Sequence, residues 1–280
     1  MDEIIQIWQH IPASLDPVLA RIGSFQIRYY SLMYLAAFFC TYLIVVRRIR
    51  TENYEFSTAV IQDVFVWGIV GLLVGARLGY VLFYDMSHFI EHPLEIFLPV
   101  QWSGDGVLVT GIRGLSYHGG LLGIIAAVVI FCRRRGIRVL RLADLFAAAA
   151  PLGYTFGRLG NFINGELYGK VTSVPWGMYF PLDPTGRLRH PSQLYEALFE
   201  GLVLFALLWP LRQKFRTEGT LFGLYIAGYG IIRFVIEFFR EPDLHLGYVL
   251  GPFSAGQLLC LAMIITGIVM IFVLQKRAKR

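Results

Sequence analysis

Charge is scarce in this chain. Only 16% of its 280 residues are Asp, Glu, Lys or Arg, whereas 56% are hydrophobic and the mean hydropathy is +0.59. A soluble domain carries about a quarter charged residues, so a water-bathed globule is excluded and lipid is indicated as solvent. Cysteine is scarce too: Cys40, Cys132 and Cys260 all fall within or at the ends of apolar runs. That rules out a disulfide framework or a metal-binding spacing and reads as small core residues. Aspartate is nearly missing from the apolar runs, with Asp63 and Asp144 near their cytoplasmic ends. A lipid enzyme working through several Asp-bound divalent ions is thereby excluded. No Gly-x-Ser-Gly nucleophile faces a His, which removes an intramembrane serine protease. There is no internal repeat of the kind that relates the halves of many transporters. The acidic start Met1-Asp2-Glu3 shows no basic stretch ahead of an apolar one, so no cleaved signal peptide is expected.

What the chain has instead is apolar length. Seven runs centre on residues 30–46, 60–83, 117–132, 142–156, 192–211, 220–239 and 253–274. A spanning helix needs about 18 such residues or more. The fourth run is short and Ala-rich and reaches Pro151. Basic residues follow alternate runs: Arg47, Arg48 and Arg50; Arg133, Arg134, Arg135, Arg138 and Arg141; Arg212, Lys214 and Arg216; Lys276, Arg277, Lys279 and Arg280. These hold most of the Lys and Arg, so the net charge of +6 is a topology signal and not a nucleic-acid signal. The expected fold is an all-α integral membrane protein, one polytopic domain over residues 1–280 with seven transmembrane helices. Its N-terminus lies outside and its C-terminus inside. The longer outer connections, about 85–116, 157–191 and 240–252, form a small periplasmic head. Ile4 to Ile11, with Trp8, suit a short helix in the outer interface. Long connections between compact spans usually carry function, which places the site on that face.

Ionisable residues at membrane depth are the informative feature. A central Arg or Asp costs about 2.5–3.5 kcal/mol on insertion scales, so each needs a partner or a wet cavity. Arg77 lies inside Val74-Gly75-Ala76-Arg77-Leu78-Gly79-Tyr80. Arg233, Glu237 and Arg240 are spaced to share one face of run six, and Glu196 and Glu200 form a like-charge pair in run five that needs cations from elsewhere. Ion pairs that merely tie helices together would look similar. Several arginines in one cavity, however, are what an anionic head group requires, because guanidinium grips phosphate bidentately. The densest segment is Gly157-Arg158-Leu159-Gly160-Asn161-Phe162-Ile163-Asn164-Gly165-Glu166-Leu167-Tyr168-Gly169. Its glycines allow tight turns and close approach of a ligand. Its Arg and amides can hold phosphate or glycerol oxygens, and Glu166 can orient Arg158 or act on a proton. Tyr117-His118-Gly119-Gly120 offers a histidine suited to proton transfer, its flank left open by two glycines. In His190-Pro191-Ser192-Gln193-Leu194-Tyr195-Glu196, Ser192 has the place of an N-cap and His190 that of an interfacial side chain.

These segments resemble the bacterial prolipoprotein diacylglyceryl transferases. Residues 157–169 match that family's signature, Gly-Arg-x-Gly-Asn-Phe-x-Asn-x-Glu followed by Gly. Tyr117 to Gly120, His190 to Glu196 and Arg233 to Asp243 also look like that family and stand in its order, so the resemblance runs from Tyr29-Tyr30 to the last helix. Residue 28 is Arg where some members carry His. The resemblance implies an inner-membrane enzyme that moves the diacylglyceryl group of phosphatidylglycerol onto the lipobox cysteine of a prolipoprotein signal peptide, releasing glycerol phosphate near the periplasmic leaflet. It implies functional roles for Tyr30, His118, Arg158, Asn161, Glu166, Arg233 and Glu237, with Arg77, Asn164 and Arg240 among the head-group contacts. His118 is the expected base, Arg158 and Arg233 the phosphate ligands, and Glu166 and Glu237 the carboxylates that fix them. No metal, nucleotide or nucleic acid is called for. A transporter or binding protein for an anionic lipid head group is the alternative class.

Overall fold

The computed structural model describes residues 2–23, 25–52, 54–96, 100–103, 106–109, 114–241, 248–251 and 253–278. In chain order the elements begin with α1 (Asp2–Ser14), β1 (Val18–Ile22), β2 (Phe25–Arg28) and α2 (Tyr29–Thr51). Next come α3 (Thr58–Tyr84), α4 (Met86–Glu91), a 3-10 turn at Pro93–Ile96, β3 (Val100–Ser103), β4 (Gly106–Val109) and α5 (Tyr117–Arg134). After α6 (Val139–Ala147) and α7 (Ala150–Ile163), one continuous helical stretch contains α8 (Ser192–Tyr195), a π-helical segment Glu196–Val203 and α9 (Leu204–Leu208). The chain ends in α10 (Thr220–Ile236), β5 (Tyr248–Leu250), β6 (Phe253–Ser254) and α11 (Ala255–Ala278). Three antiparallel hairpins, β1–β2, β3–β4 and β5–β6, were not foreseen from the helical periodicity. Gly104 and Asp105, most of 240–252 including Asp243, and Lys279 and Arg280 lie outside the described residues.

The chain forms two compact units, residues 1–53 with 140–280 and residues 54–139. Four helices, α2, α3, α5 and α11, are long and apolar enough to cross a membrane, and the α6–α7 pair, bent by 54°, makes a fifth if counted as one span. Apolar α10 is shorter. The protein is therefore a helical membrane protein. Pro151 explains the bend: it stands in the first turn of α7, where no backbone N–H is required, and it cannot continue α6. Helix α7 then runs to Ile163, so the first half of the Gly157–Gly169 segment is helix and not outer loop. Small residues make this possible, since Gly160 sits against the Tyr30 ring and Met33, and Gly153 against Thr41.

In the second unit α3 and α5 pack through glycines. A Cβ on Gly79 would lie 2.6 Å from the Gly119 Cα, and one on Gly71 2.6 Å from the Ala127 Cβ. Gly119 is thus a helix-packing residue, and Gly120 lies against Leu72 and Ala76. The expectation that this glycine pair opens the flank of His118 is replaced by a packing role.

At the Arg48 end of α2, the first unit closes on a fully buried guanidinium. Arg48 pairs with Glu52 at 2.9 Å and donates to the carbonyls of Asp144 (2.9 Å) and Leu145 (2.6 Å). Arg212 joins Glu52 at 2.8 Å with its guanidinium over the Trp209 ring. The Asp144 carboxylate accepts from the Gly219 and Phe222 N–H groups and so caps α10. Arg48, read from the sequence as a topology signal, is thus also a structural tie between α2 and α6.

Candidate functional site

Helices α7 and α10 and the π-helical segment meet around Glu196, which is fully buried. An ionised carboxylate so placed must be surrounded by donors. Three arginines supply them: Arg158 Nε at 2.7 Å, Arg233 Nη1 at 2.9 Å and Arg240 Nη1 at 3.3 Å. Tyr154, one turn before Arg158, accepts from Arg158 Nε (2.7 Å) and donates to Glu196 (3.2 Å). Arg233 also reaches Glu200 (3.4 Å) and Glu237 (3.1 Å). Glu237 accepts from the Ser254 hydroxyl at 3.1 Å.

The π-helical segment 196–203 packs closely on α7: the Thr155 hydroxyl lies 3.3 Å from both the Pro151 and the Ala197 carbonyls, and a Cβ on Gly201 would collide with the Thr155 side chain.

The last turns of α7 and the turn after it extend this cluster. Arg158 Nη1 donates to Asn161 (3.2 Å), whose amide donates to Glu166 (2.8 Å), as does that of Asn164 (3.4 Å). Glu166 therefore meets Arg158 through Asn161 and not directly; the carboxylate on Arg158 is Glu196. Helix α10 ends at Ile236, so Arg240 is not a further turn of it. The Phe239 carbonyl is taken by the Lys170 N–H, and Arg240 pairs in extended form with Gly169. Its guanidinium nevertheless reaches Glu196. Tyr30 makes a hydroxyl contact with Tyr34 (3.1 Å) and an interaction with the Asn161 side chain.

Two expected residues lie in the second unit. His118 is exposed in the first turn of α5, which Ser116 caps, with its ring on Tyr117 at 5.6 Å. Arg77 donates to the Ile96 carbonyl at 2.9 Å, the Gly114 carbonyl at 3.4 Å and that of Glu95, with its guanidinium over Phe89. These donors hold the backbone at residues 95, 96 and 114.

The head of the first unit is pinned by Arg189. This arginine binds Asp183 through Nε (2.7 Å) and Nη2 (3.1 Å), and Glu241 through Nη1 (2.9 Å). The guanidinium holds the Asp183 carboxyl well below the usual carboxylate range. Burial pushes His190 below the ordinary histidine value, keeping it neutral. Trp176 donates to the Tyr195 hydroxyl (2.9 Å), which lies 3.1 Å from His190 Nδ1. The tyrosine's own proton is then left for His190, making Nδ1 the acceptor. Ser192 is no N-cap: it is the first residue of α8, and its hydroxyl donates to the Leu167 carbonyl.

Fold and site together define a class, a helical membrane protein built around a buried arginine–carboxylate cluster. Residues 17–273 match the family model described as prolipoprotein diacylglyceryl transferase. Curated relatives include a phosphatidylglycerol--prolipoprotein diacylglyceryl transferase of Chlorobaculum tepidum, 48% identical over 97% of this chain and 94% of that protein. Proteins of the same name from Geobacter sulfurreducens and Rhodospirillum rubrum are 46% and 47% identical, over 94% and 95% of this chain and 96% and 94% of theirs. The chain belongs to the prolipoprotein diacylglyceryl transferase family, and it is a transferase.

Glu196 and Glu200 are what sequence reasoning noticed without placing at the centre. Their i, i+4 spacing in an apolar run was the signal. Tyr154 and Ser254 gave none, because tyrosine and serine are ordinary in apolar helices and at helix starts.

Proposed function

We propose that this chain transfers the diacylglyceryl group of phosphatidylglycerol to the lipobox cysteine of a prolipoprotein, the first step of lipoprotein maturation. The sulfur attacks the glycerol carbon bearing the phosphate; the S–C bond forms as the C–O bond breaks, and the electron pair leaves with glycerol phosphate. The thiol proton passes to a base, and the phosphodiester becomes a monoester with one more negative charge. A thiol of free pKa about 8.5 needs such a base, and the leaving oxygen needs cationic donors as its charge grows.

The observation that carries this reading is the convergence of Arg158, Arg233 and Arg240 on one buried carboxylate in a chain of this family. Guanidinium has five N–H donors. Arg158 uses Nε and Nη1, and Arg240 uses Nη1 alone, among the described residues. Both keep N–H groups for phosphate. Arg233, facing three glutamates, sets the field of the cluster and holds the others in place. Asn161, Asn164 and Glu166 meet the glycerol end of the lipid, Tyr30 supports Asn161, and Glu237 fixes Arg233. His118 takes the thiol proton. Seven crossings of the bacterial inner membrane, with the N-terminus outside, put this cluster near the periplasmic leaflet.

Purified protein in phosphatidylglycerol vesicles should add a diacylglyceryl mass to a lipobox peptide carrying Cys and none to its Ser counterpart. An unmodified Cys peptide overturns the reading.

A further inference from the structure

Helix α7 ends in a left-handed Gly165 (φ +69°), whose N–H bonds to the Phe162 carbonyl while the Glu166 N–H bonds to that of Asn161. This pairing folds the chain back over the last helical turn, which is why the Glu166 carboxylate meets the Asn161 amide. The next residue is also left-handed: Leu167, at φ +59°, is the one positive-φ residue besides glycine among those described. A leucine there is strained, and strain persists only where surroundings over-determine it. The surroundings are two fully buried side chains at the start of α8. Gln193 Nε2 donates to the Glu166 carbonyl at 2.6 Å, and Ser192 Oγ to the Leu167 carbonyl at 3.0 Å. Each clamps one of two successive carbonyls of the strained turn.

We propose that Ser192 and Gln193 are positioning residues for the transfer reaction, holding the Glu166 carboxylate on Asn161 by forcing Leu167 into its left-handed conformation. This rests on the function proposed above, and it assigns the His190–Glu196 segment a task. Neither side chain touches substrate in this scheme; both act through the backbone of residues 166–167. A displacement of about 1 Å in a reacting constellation can cost on the order of a hundred-fold in rate.

The test uses the full-length protein in phosphatidylglycerol vesicles with the Cys lipobox peptide. Ser192→Ala and Gln193→Ala should each lower kcat by about ten- to a hundred-fold, measured per folded, membrane-inserted molecule. Leu167→Gly alone should stay within about three-fold of wild type, because glycine adopts φ > 0 freely. Leu167→Gly added to either alanine variant should restore at least about ten-fold of the lost rate, since a glycine no longer has to be forced. Wild-type kcat in both alanine variants overturns the proposal, as does a loss that Leu167→Gly leaves unrepaired. Wild-type turnover in the same assay upholds the transfer reading on its own, so a failure of the clamp is told apart from a failure of that reading.

Discussion

The first unit contains two buried arginine clusters that differ in how their donors are spent. Around Arg48 the guanidinium is consumed by protein: Glu52 and two carbonyls of the α6 end take its hydrogens, and its burial is complete. Around Glu196 the carboxylate is the satisfied partner, and the arginines keep donors in reserve on partly exposed side chains. Burial of charge alone thus does not mark a functional site. A cluster built for structure saturates its cations, whereas a cluster built for an anion saturates its carboxylate and leaves cations with something to give.

Removing the hub should do most damage. Glu196→Ala leaves Arg158 and Arg240 without their carboxylate, while Arg233 keeps Glu200 and Glu237, so unfolding measurements should show a loss of up to about 3–5 kcal/mol together with abolished transfer. Glu196→Gln, which keeps the volume, should fold better and still fail to transfer. Arg158→Ala should insert and extract normally yet lose on the order of 10²–10³ in kcat, the scale of deleting a preorganised donor to a developing oxyanion. Wild-type turnover in this variant would break the contrast outright. Arg48→Ala should show the mirror pattern: about 3–5 kcal/mol of stability lost, while the molecules that fold retain wild-type KM for phosphatidylglycerol. Arg240→Ala, the least engaged of the three, should mainly raise KM, by about ten-fold for a charged hydrogen bond of roughly 1.5 kcal/mol.

The smallest effect lies in the head. The Asp183 carboxyl is held low by Arg189, so its contribution is fully present above its unfolded value and is lost as pH falls through the depressed folded one. His190, lowered by burial, adds a loss of the same sign that begins as pH drops below the ordinary histidine value. Unfolding temperature should therefore decline on acidification in two stages. Asp183→Asn should flatten the lower stage and His190→Gln the upper one.

The helical membrane class and most of the site's membership were legible, because apolar length and polar residues inside it are one-dimensional signals. The partnerships were not. Spacing alone linked Glu166 to Arg158, whereas Asn161 stands between them and Glu196 occupies the direct position. Arg240 was placed on a helix that stops before it, since the competing Lys170 N–H comes from seventy residues upstream. Ser192 looked like a cap because a serine before a helix usually is one; its true acceptor is 25 residues away. Such pairings depend on tertiary packing, which local pattern does not encode.

The π-helical stretch carries one further consequence. Its winding accommodates a residue more than an ordinary helix of that span would, and Glu196 and Glu200 face Arg233 from within it. Deleting one residue between Glu196 and Glu200 would let the ladder revert to i→i+4 spacing with the helix on either side still in phase, and would shorten the offset between the two carboxylates from four residues to three. The shortened helix would be better hydrogen-bonded, yet the four-residue offset with which Glu196 and Glu200 both meet Arg233 would be lost. In this segment the length of the chain is as much a determinant of activity as the identity of its residues.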